Sequence, residues 1–360
     1  MPWILCSIAL SLCSCFFAQS WSMLAPFPGV ERDDAVGFIL GEDIYVGSGL
    51  SPWWASQGDF YRMNGSNGQW ESVAPMPPGM ERQYASAFVI QNQAFVFGGY
   101  NAGVFLNDLW RYDPVLNLWS ACNNLPSNGR SGAASFVLNG KAYIVGGKQA
   151  NSAASDEVWS YDPQSDAWTP QAPFPGGNVW RSSATSQHHL GYLLFGRNEN
   201  NAFLNAFYSY DPLVDQWTAL PSFPAPGRSH AGLFSLNNDL YSCFGMDSLN
   251  QSLNDLWKFD SLNASWIPCP GIPALGRRGG VCLAETARMV YLTGIDENNQ
   301  RLNEAWQFAP FLSLENPSAI SPAILLETRD CLGRTVNPAS HQIQLQVFSD
   351  GTVQRVFRIE

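Results

Sequence analysis

One spacing constrains this chain more than any other feature. Trp21, Trp70, Trp119, Trp168, Trp217 and Trp266 stand 49 residues apart. Gly49, Gly98, Gly147, Gly196, Gly245 and Gly294 keep the same interval, as do the aromatics Tyr61, Trp110, Trp159, Tyr208, Trp257 and Trp306. Asn107, Asp156, Asn205, Asn254 and Asn303 add a fourth ladder. Ladders that share one register mean copies of one supersecondary unit, each burying its apolar face against the next.

The unit reads as four short strands. In the third copy, Ala134–Leu138 (strand a) and Lys141–Val145 (strand b) flank Asn139-Gly140, a pair suited to the positive φ values of a tight hairpin. Gly146-Gly147 ends strand b where a Cβ would obstruct the backbone. A polar loop, Lys148–Asp156, leads to strand c at Val158–Tyr161. Asp162-Pro163 then turns the chain into strand d around Trp168. Four strands per unit of this length predict the blades of an all-β, six-bladed β-propeller. Composition agrees: 46% of residues are apolar and 14% charged, against about 25% charged in ordinary soluble domains. That argues against disorder, coiled coils and long solvated helices.

The pairs Gly98-Gly99 and Gly146-Gly147 carry a resemblance to kelch-repeat propellers. So do Tyr112-x6-Trp119, Tyr161-x6-Trp168 and Tyr210-x6-Trp217, with Phe259-x6-Trp266 as a variant. The resemblance spans residues 21–309; blades 1, 5 and 6 lack the double glycine. The sixth copy supplies Gly294, Trp306 and Phe308, but position 315 is Glu rather than Trp. Its outer strand is therefore expected from Trp21–Leu24, which would clasp first and last blades and leave no open sheet edge.

The two ends read differently. Residues 1–20 carry no charged side chain and combine an apolar stretch, Ile4–Leu12, with Ala18-Gln19-Ser20, so they read as a secretory signal peptide, although a basic n-region is missing. The alternative is a lipoprotein signal, Leu12-Cys13-Ser14-Cys15 resembling a lipobox that would leave Cys15 as the lipidated first residue. The expected setting is thus exported: secreted, cell-surface or periplasmic. Residues 310–322 read as a linker. In 323–360, strand-like runs at Ala323–Thr328, Ile343–Phe348 and Val353–Ile359 surround Leu332-Gly333-Arg334. This tail resembles the sorting module of bacterial type IX secretion cargo; a plain accessory β-hairpin packed on the propeller is the other reading. Removal of Cys6, Cys13 and Cys15 with the leader leaves Cys122, Cys243, Cys269, Cys282 and Cys331, whose spacing indicates no disulfide.

In such a fold the d–a and b–c loops surround one mouth of the central axis, the usual ligand face. The d–a loops carry Arg32, Arg130, Arg228 and Arg277 in register, with Arg82 and Arg181 displaced by one and two residues. Two readings stand open: a positive mouth for carboxylate, sulfate or phosphate, or scaffold arginines that bond neighbouring carbonyls and tie the blades together. The same face is expected to collect Trp53, Trp54, Tyr84, Tyr100, Lys148, Trp180, Arg197, His230, Asp247, Asp296 and Glu297, with at least one of Trp53 and Trp54 buried beneath its loop. Glu31-Arg32 and Glu81-Arg82 read as surface ion pairs.

Other chemistry finds little support. The net charge of −11, with no basic run, argues against nucleic-acid and membrane-surface binding. His188-His189, His230 and His341 fall in different places, the Cys/His spacing fits no zinc site, and there is neither a P-loop nor a nucleophile elbow. No cofactor or metal and no transmembrane segment are expected. Asn64-Gly65-Ser66 and Asn263-Ala264-Ser265 match the N-glycosylation pattern, relevant only in a eukaryotic secretory host. The chain therefore reads first as an exported recognition scaffold for a protein or saccharide partner. The alternatives are a purely structural surface or adhesion protein, and a sugar mutarotase or epimerase. Pro77–Phe88 resembles an early blade of exported sialic acid mutarotases, six-bladed kelch propellers that act on an anionic sugar with an acid/base residue and Arg. Their blades carry insertions that this even spacing lacks, and no catalytic residue carries over.

Overall fold

The computed structural model describes residues 20–150, 153–285 and 287–310, together with the backbone of 325–330, 344–348 and 353–356. The first three stretches form six four-stranded antiparallel sheets, one per repeat. Blade 3 contains Ala134–Leu138, Lys141–Val145, Val158–Asp162 and Ala167–Gln171, close to its sequence expectation. Asn139 and Gly140 both have positive φ (51° and 74°), as its hairpin requires.

The repeat explains how the blades cohere. In strand a of the first three blades, alternate residues are buried, and strand b is buried along most of its length. Both inner strands thus present apolar side chains to neighbouring sheets. The resulting core forms six clusters, one at each blade–blade contact. The tryptophan ladder reinforces these contacts. The indole N–H of Trp70 donates to the Ala25 carbonyl, Trp119 to Ala74, Trp168 to Asn123 and Trp217 to Ala172.

The ring closes as the register predicts. Ser20–Met23 pairs antiparallel with Ala305–Ala309 and becomes the outer strand of blade 6. The Trp21 indole N–H donates to the Pro270 carbonyl at 3.1 Å, as in blades 1 to 4; the Trp266 indole N–H of blade 5 is buried without an acceptor. Its ring lies against Phe244 and Phe308.

Residues 311–360 form a separate unit. Leu325–Asp330, Gln344–Phe348 and Val353–Val356 make a three-stranded antiparallel sheet, where the sequence suggested runs two residues earlier for the first strand and longer for the third. The leader at 1–19, the linker at 311–322, Leu332-Gly333-Arg334, Cys331 and His341 lie outside the described residues. Cys122, Cys243 and Cys282 are free thiols.

Candidate functional site

The arginine ladder is a scaffold element. Arg32, Arg82, Arg130, Arg228 and Arg277 are buried to 1% exposure or less. None lines the mouth cavity, because each pairs with a carboxylate 26 or 27 residues later in its own blade. Arg82 binds Asp108 through two bonds of 2.8 Å, and Arg32 and Arg228 grip Asp59 and Asp255 likewise. These are the partners, rather than the adjacent Glu31 and Glu81. Burial opposes ionisation of Glu157, but hydrogen bonds from Arg130, Trp159 and Ser127 outweigh it and hold its carboxyl below the usual range.

Each ladder residue also accepts from the preceding blade. The N–H groups of Gly49, Gly99, Gly147, Gly196, Gly245 and Gly294 donate to the carbonyls of Arg82, Arg130, Val179, Arg228, Arg277 and Arg32. Blade 4 therefore has Val179 in the ladder position. Ala206 stands where the partner carboxylate would be, 27 residues on. Arg181, two residues beyond Val179, belongs to a different ring.

That ring is the innermost layer of the mouth. Asp34, Tyr84, Gly132, Arg181, His230 and Gly279, one from each d–a loop, all have left-handed backbone with φ between 51° and 64°. Asp34 N–H donates to Gly279 O, Tyr84 N–H to Asp34 O, Gly132 N–H to Tyr84 O and Arg181 N–H to Gly132 O. Gly279 N–H reaches His230 O at 3.2 Å. The two glycines contribute no side chain, so Asp34, Tyr84, Arg181 and His230 occupy the axis.

Above them opens a cavity of about 400 Å³. Leu50, Met246 and Ile295, at the ends of strands b, form its apolar side, and Asn250, Arg278, Asn299 and Arg301 add polar groups. Arg301 Nε donates to Asp33 Oδ1 at 2.5 Å. Arg181, Arg197 and Arg278 have no carboxylate partner among the described residues. Arg278 instead donates to Ser252 Oγ and Asn299 Oδ1. Arg181 lies between the rings of Tyr84 and Trp180, 4.3 Å from each centroid, and its Nε is buried without an acceptor. Arg197 lies behind Trp180 and Phe203; burial, then the charge of Arg181, pull its guanidinium down to about 10.

Asp34 and His230 face each other on the floor, with His230 Nε2 4.0 Å from Asp34 Oδ1. Burial, followed by the charge of Asp33, raises the Asp34 carboxyl well above the usual range, against the pull of Arg181. Burial and then the charges of Arg181, Arg197 and Arg278 lower the His230 imidazole well below its usual value. Ser229 Oγ holds its Nδ1 at 2.9 Å. The pair is thus favoured as neutral acid and neutral base.

Of the candidate residues, the cavity brings together Trp54, Tyr84, Arg181 and His230. Tyr100 packs edge-on to Phe105 and Trp53 points to solvent beside Trp54. The expectation that one of the two tryptophans is buried is corrected: they are 64% and 77% exposed, carried on a tight Ser51–Ala55 turn in which Trp54 adopts left-handed backbone. Asp247 and Asp296 cap their own loops, accepting backbone N–H bonds. His188-His189 occupies the a–b turn of blade 4. Among the described residues, no three His, Cys, Asp or Glu groups are placed to hold a metal ion, and no helix is long and apolar enough to cross a membrane. Asp34, Arg278 and Arg301 were not among the sequence candidates. Asp34 could have been found by reading two positions beyond each ladder residue.

Fold and axial mouth define a six-bladed β-propeller, and its repeats are kelch repeats. Residues 20–195 match the KLHDC2/KLHL20/DRC7 Kelch-repeats domain, and 227–273 the Kelch motif. An N-acetylneuraminate epimerase of Shigella sonnei is 32% identical over 152 residues, covering 40% of this chain and 39% of that protein. Human Kelch-like protein 35 is 29% identical over 141 residues, 39% of this chain and 23% of that protein. These curated relatives are thus matched over well under half of their own length. The solved structure of YjhT superposes with a TM-score of 0.70 at 19% identity, covering 79% of this chain and 96% of that one, a likeness of fold.

Proposed function

We propose that this propeller is an exported recognition protein whose axial mouth binds an anionic ligand, with an acidic sugar the chemistry that fits best. The observation that carries this reading is the contrast between two sets of arginines. The ladder arginines have carboxylate partners in their own blades, whereas Arg181 and Arg278 line one cavity without any among the described residues. Guanidinium forks with free donors suit a carboxylate, and the amides of Asn250 and Asn299 suit hydroxyls. Leu50, Met246 and Ile295 offer apolar contact to the rest of the ligand.

A second reading, sugar mutarotation or epimerisation, is favoured by Asp34 and His230. Opening a sugar ring needs one group to take the anomeric hydroxyl proton and another to protonate the ring oxygen. A protonated Asp34 and a neutral His230 on one cavity floor suit those roles. The partial match to an N-acetylneuraminate epimerase supports the same reading.

One titration tests both. The full chain is mixed with N-acetylneuraminate, glucuronate or galactose and followed by thermal unfolding, with anomer exchange read by NMR in the same samples. Acidic sugars at a hundredfold their Kd should stabilise the protein by about 2.7 kcal/mol, and galactose should not. Arg181→Ala should abolish the shift while leaving the unliganded protein folded. Equal shifts for acidic and neutral sugars, or none for either, would remove the anionic-ligand reading. A shift without faster anomer exchange would leave a binding protein.

A further inference from the structure

The cavity does not end at its floor and walls. On its rim Trp54 is 77% exposed and Trp53 beside it 64% exposed. Water is a poor solvent for two adjacent indoles, so their exposure is a cost that the fold does not require. Their loop is nevertheless firmly built. Its base is buried at Leu50 and Ser51. Ser51 N–H donates to the Ala55 carbonyl and Trp54 N–H to the Ser51 carbonyl. Ser51 Oγ donates to the Ala55 carbonyl and accepts from the Ala55 N–H.

This arrangement forces Trp54 into left-handed backbone, φ 63°, a conformation uncommon for a bulky side chain. Strain of this kind persists where surrounding structure holds it and often marks a ligand-contacting position. The ring itself is fixed from the opposite side of the blade 6–blade 1 seam. The Arg301 guanidinium lies 4.9 Å from the Trp54 centroid and is anchored by Asp33. One face of the indole is therefore covered by a held cation, and the other opens outward at the cavity edge.

We propose that Trp54, flanked by Trp53, is a stacking platform for a second sugar ring, so that the preferred ligand is an acidic sugar at the end of an oligosaccharide rather than the free monosaccharide. This inference rests on the reading of the cavity as an acidic-sugar site. A flat, rigid, outward aromatic face complements the C–H face of a pyranose. Its place at the rim suits the unit that follows a terminal sugar seated against Arg181. Little ordering is needed on binding, because loop and guanidinium already hold the ring.

Calorimetric titration of the full chain tests this with three probes: N-acetylneuraminate, its α-linked lactose conjugate, and lactose. The conjugate is expected to bind about tenfold more tightly than the monosaccharide, the scale of one well-formed aromatic contact. Trp54→Ala should erase that advantage, weakening the conjugate about tenfold more than it weakens the monosaccharide. Trp54→Phe should retain most of it. All variants should melt like the parent, since the side chain contributes little to the core. Equal affinity for the two acidic probes would overturn the platform while leaving the cavity reading intact. Equal weakening of both by Trp54→Ala would also overturn it, because Trp54 would then serve only the first sugar ring. Binding of neither acidic probe would end both readings and turn attention to a protein partner for the exposed tryptophans.

Discussion

At the scale of single residues, the most consequential side chain is Asp34. It faces Asp33, Tyr84, Arg181 and His230, with Arg278 and Arg301 around the cavity above. Its folded-state pKa is raised by burial and by Asp33, so the folded protein holds this proton more tightly than the unfolded chain does. Its contribution to stability is therefore lost as pH rises from about 4, the unfolded value, through the raised folded value. Asp34→Asn removes that loss and keeps the shape. Unfolding free energies of the two proteins should diverge in favour of the variant as pH climbs from about 4, then run parallel once Asp34 is ionised. His230, shifted in the opposite direction, loses stability as pH falls below about 6.5; this occurs in both proteins and largely cancels in the difference. A difference independent of pH from 4 to 8 would mean that Arg181 keeps Asp34 ionised throughout.

At the scale of the blade, the arginine–carboxylate staple invites a test that the protein has already performed on itself. Blade 4 replaces the pair with Val179 and Ala206, and Ser182 Oγ donates to the Phe195 carbonyl in place of an arginine. In blade 2, Arg82 is fully buried against Asp108, which also accepts from the Trp110 indole. Asp108→Ala would leave a buried, uncompensated guanidinium and should cost about 3 kcal/mol. The double variant Arg82→Val, Asp108→Ala copies blade 4 and should recover much of that loss in urea unfolding. If the double variant is as unstable as Asp108→Ala alone, loss of the ion pair rather than a stranded guanidinium is what weakens the blade; a loss equal to the sum of the singles would mean that the two side chains act independently. This contrast also explains what the sequence could and could not disclose. Strand positions, hairpin turns and the blade count were legible because period and burial are local consequences of Trp, Gly and alternating apolar residues. The role of the ladder arginines was not, since their partners lie 26 or 27 residues away and only pairing decides whether a guanidinium faces water. Arg181 resembled its neighbours by type, and only its two-residue offset, matched by Val179 and Ala206, marked it as a cavity residue.

At the scale of the whole molecule, the ring is only as closed as its last sheet. Stability in repeat architectures is a sum of unit and interface contributions, and a ring has one more interface than the corresponding open array. Here that extra interface is secured by chain from opposite ends of the propeller: Ser20–Met23 on Ala305–Ala309. The apolar cluster between blades 6 and 1 adds Phe27, Ile44 and Val46 on one side and Val281, Val290 and Leu292 on the other. Trp21 also reaches across to blade 5 through Pro270 and Phe244. Trp21→Ala should thus destabilise the propeller by about 3 kcal/mol, the lower end for an aromatic lost from a packed site. Deleting 21–25 should do more, because it exposes the hydrogen-bonding edge of strand Ala305–Ala309 as well. The same changes should disturb the mouth, since Arg301 and Asp33 meet across this seam and hold Trp54 between blades 6 and 1. Hydrogen exchange is the discriminating measurement. If closure is what fixes the ring, Trp21→Ala will accelerate exchange in blade 6 strand c and the loops carrying Trp54 and Arg301, while blade 3 remains protected. Exchange raised equally in all six blades would instead describe one cooperative unit, in which the seam is no weaker than any other contact.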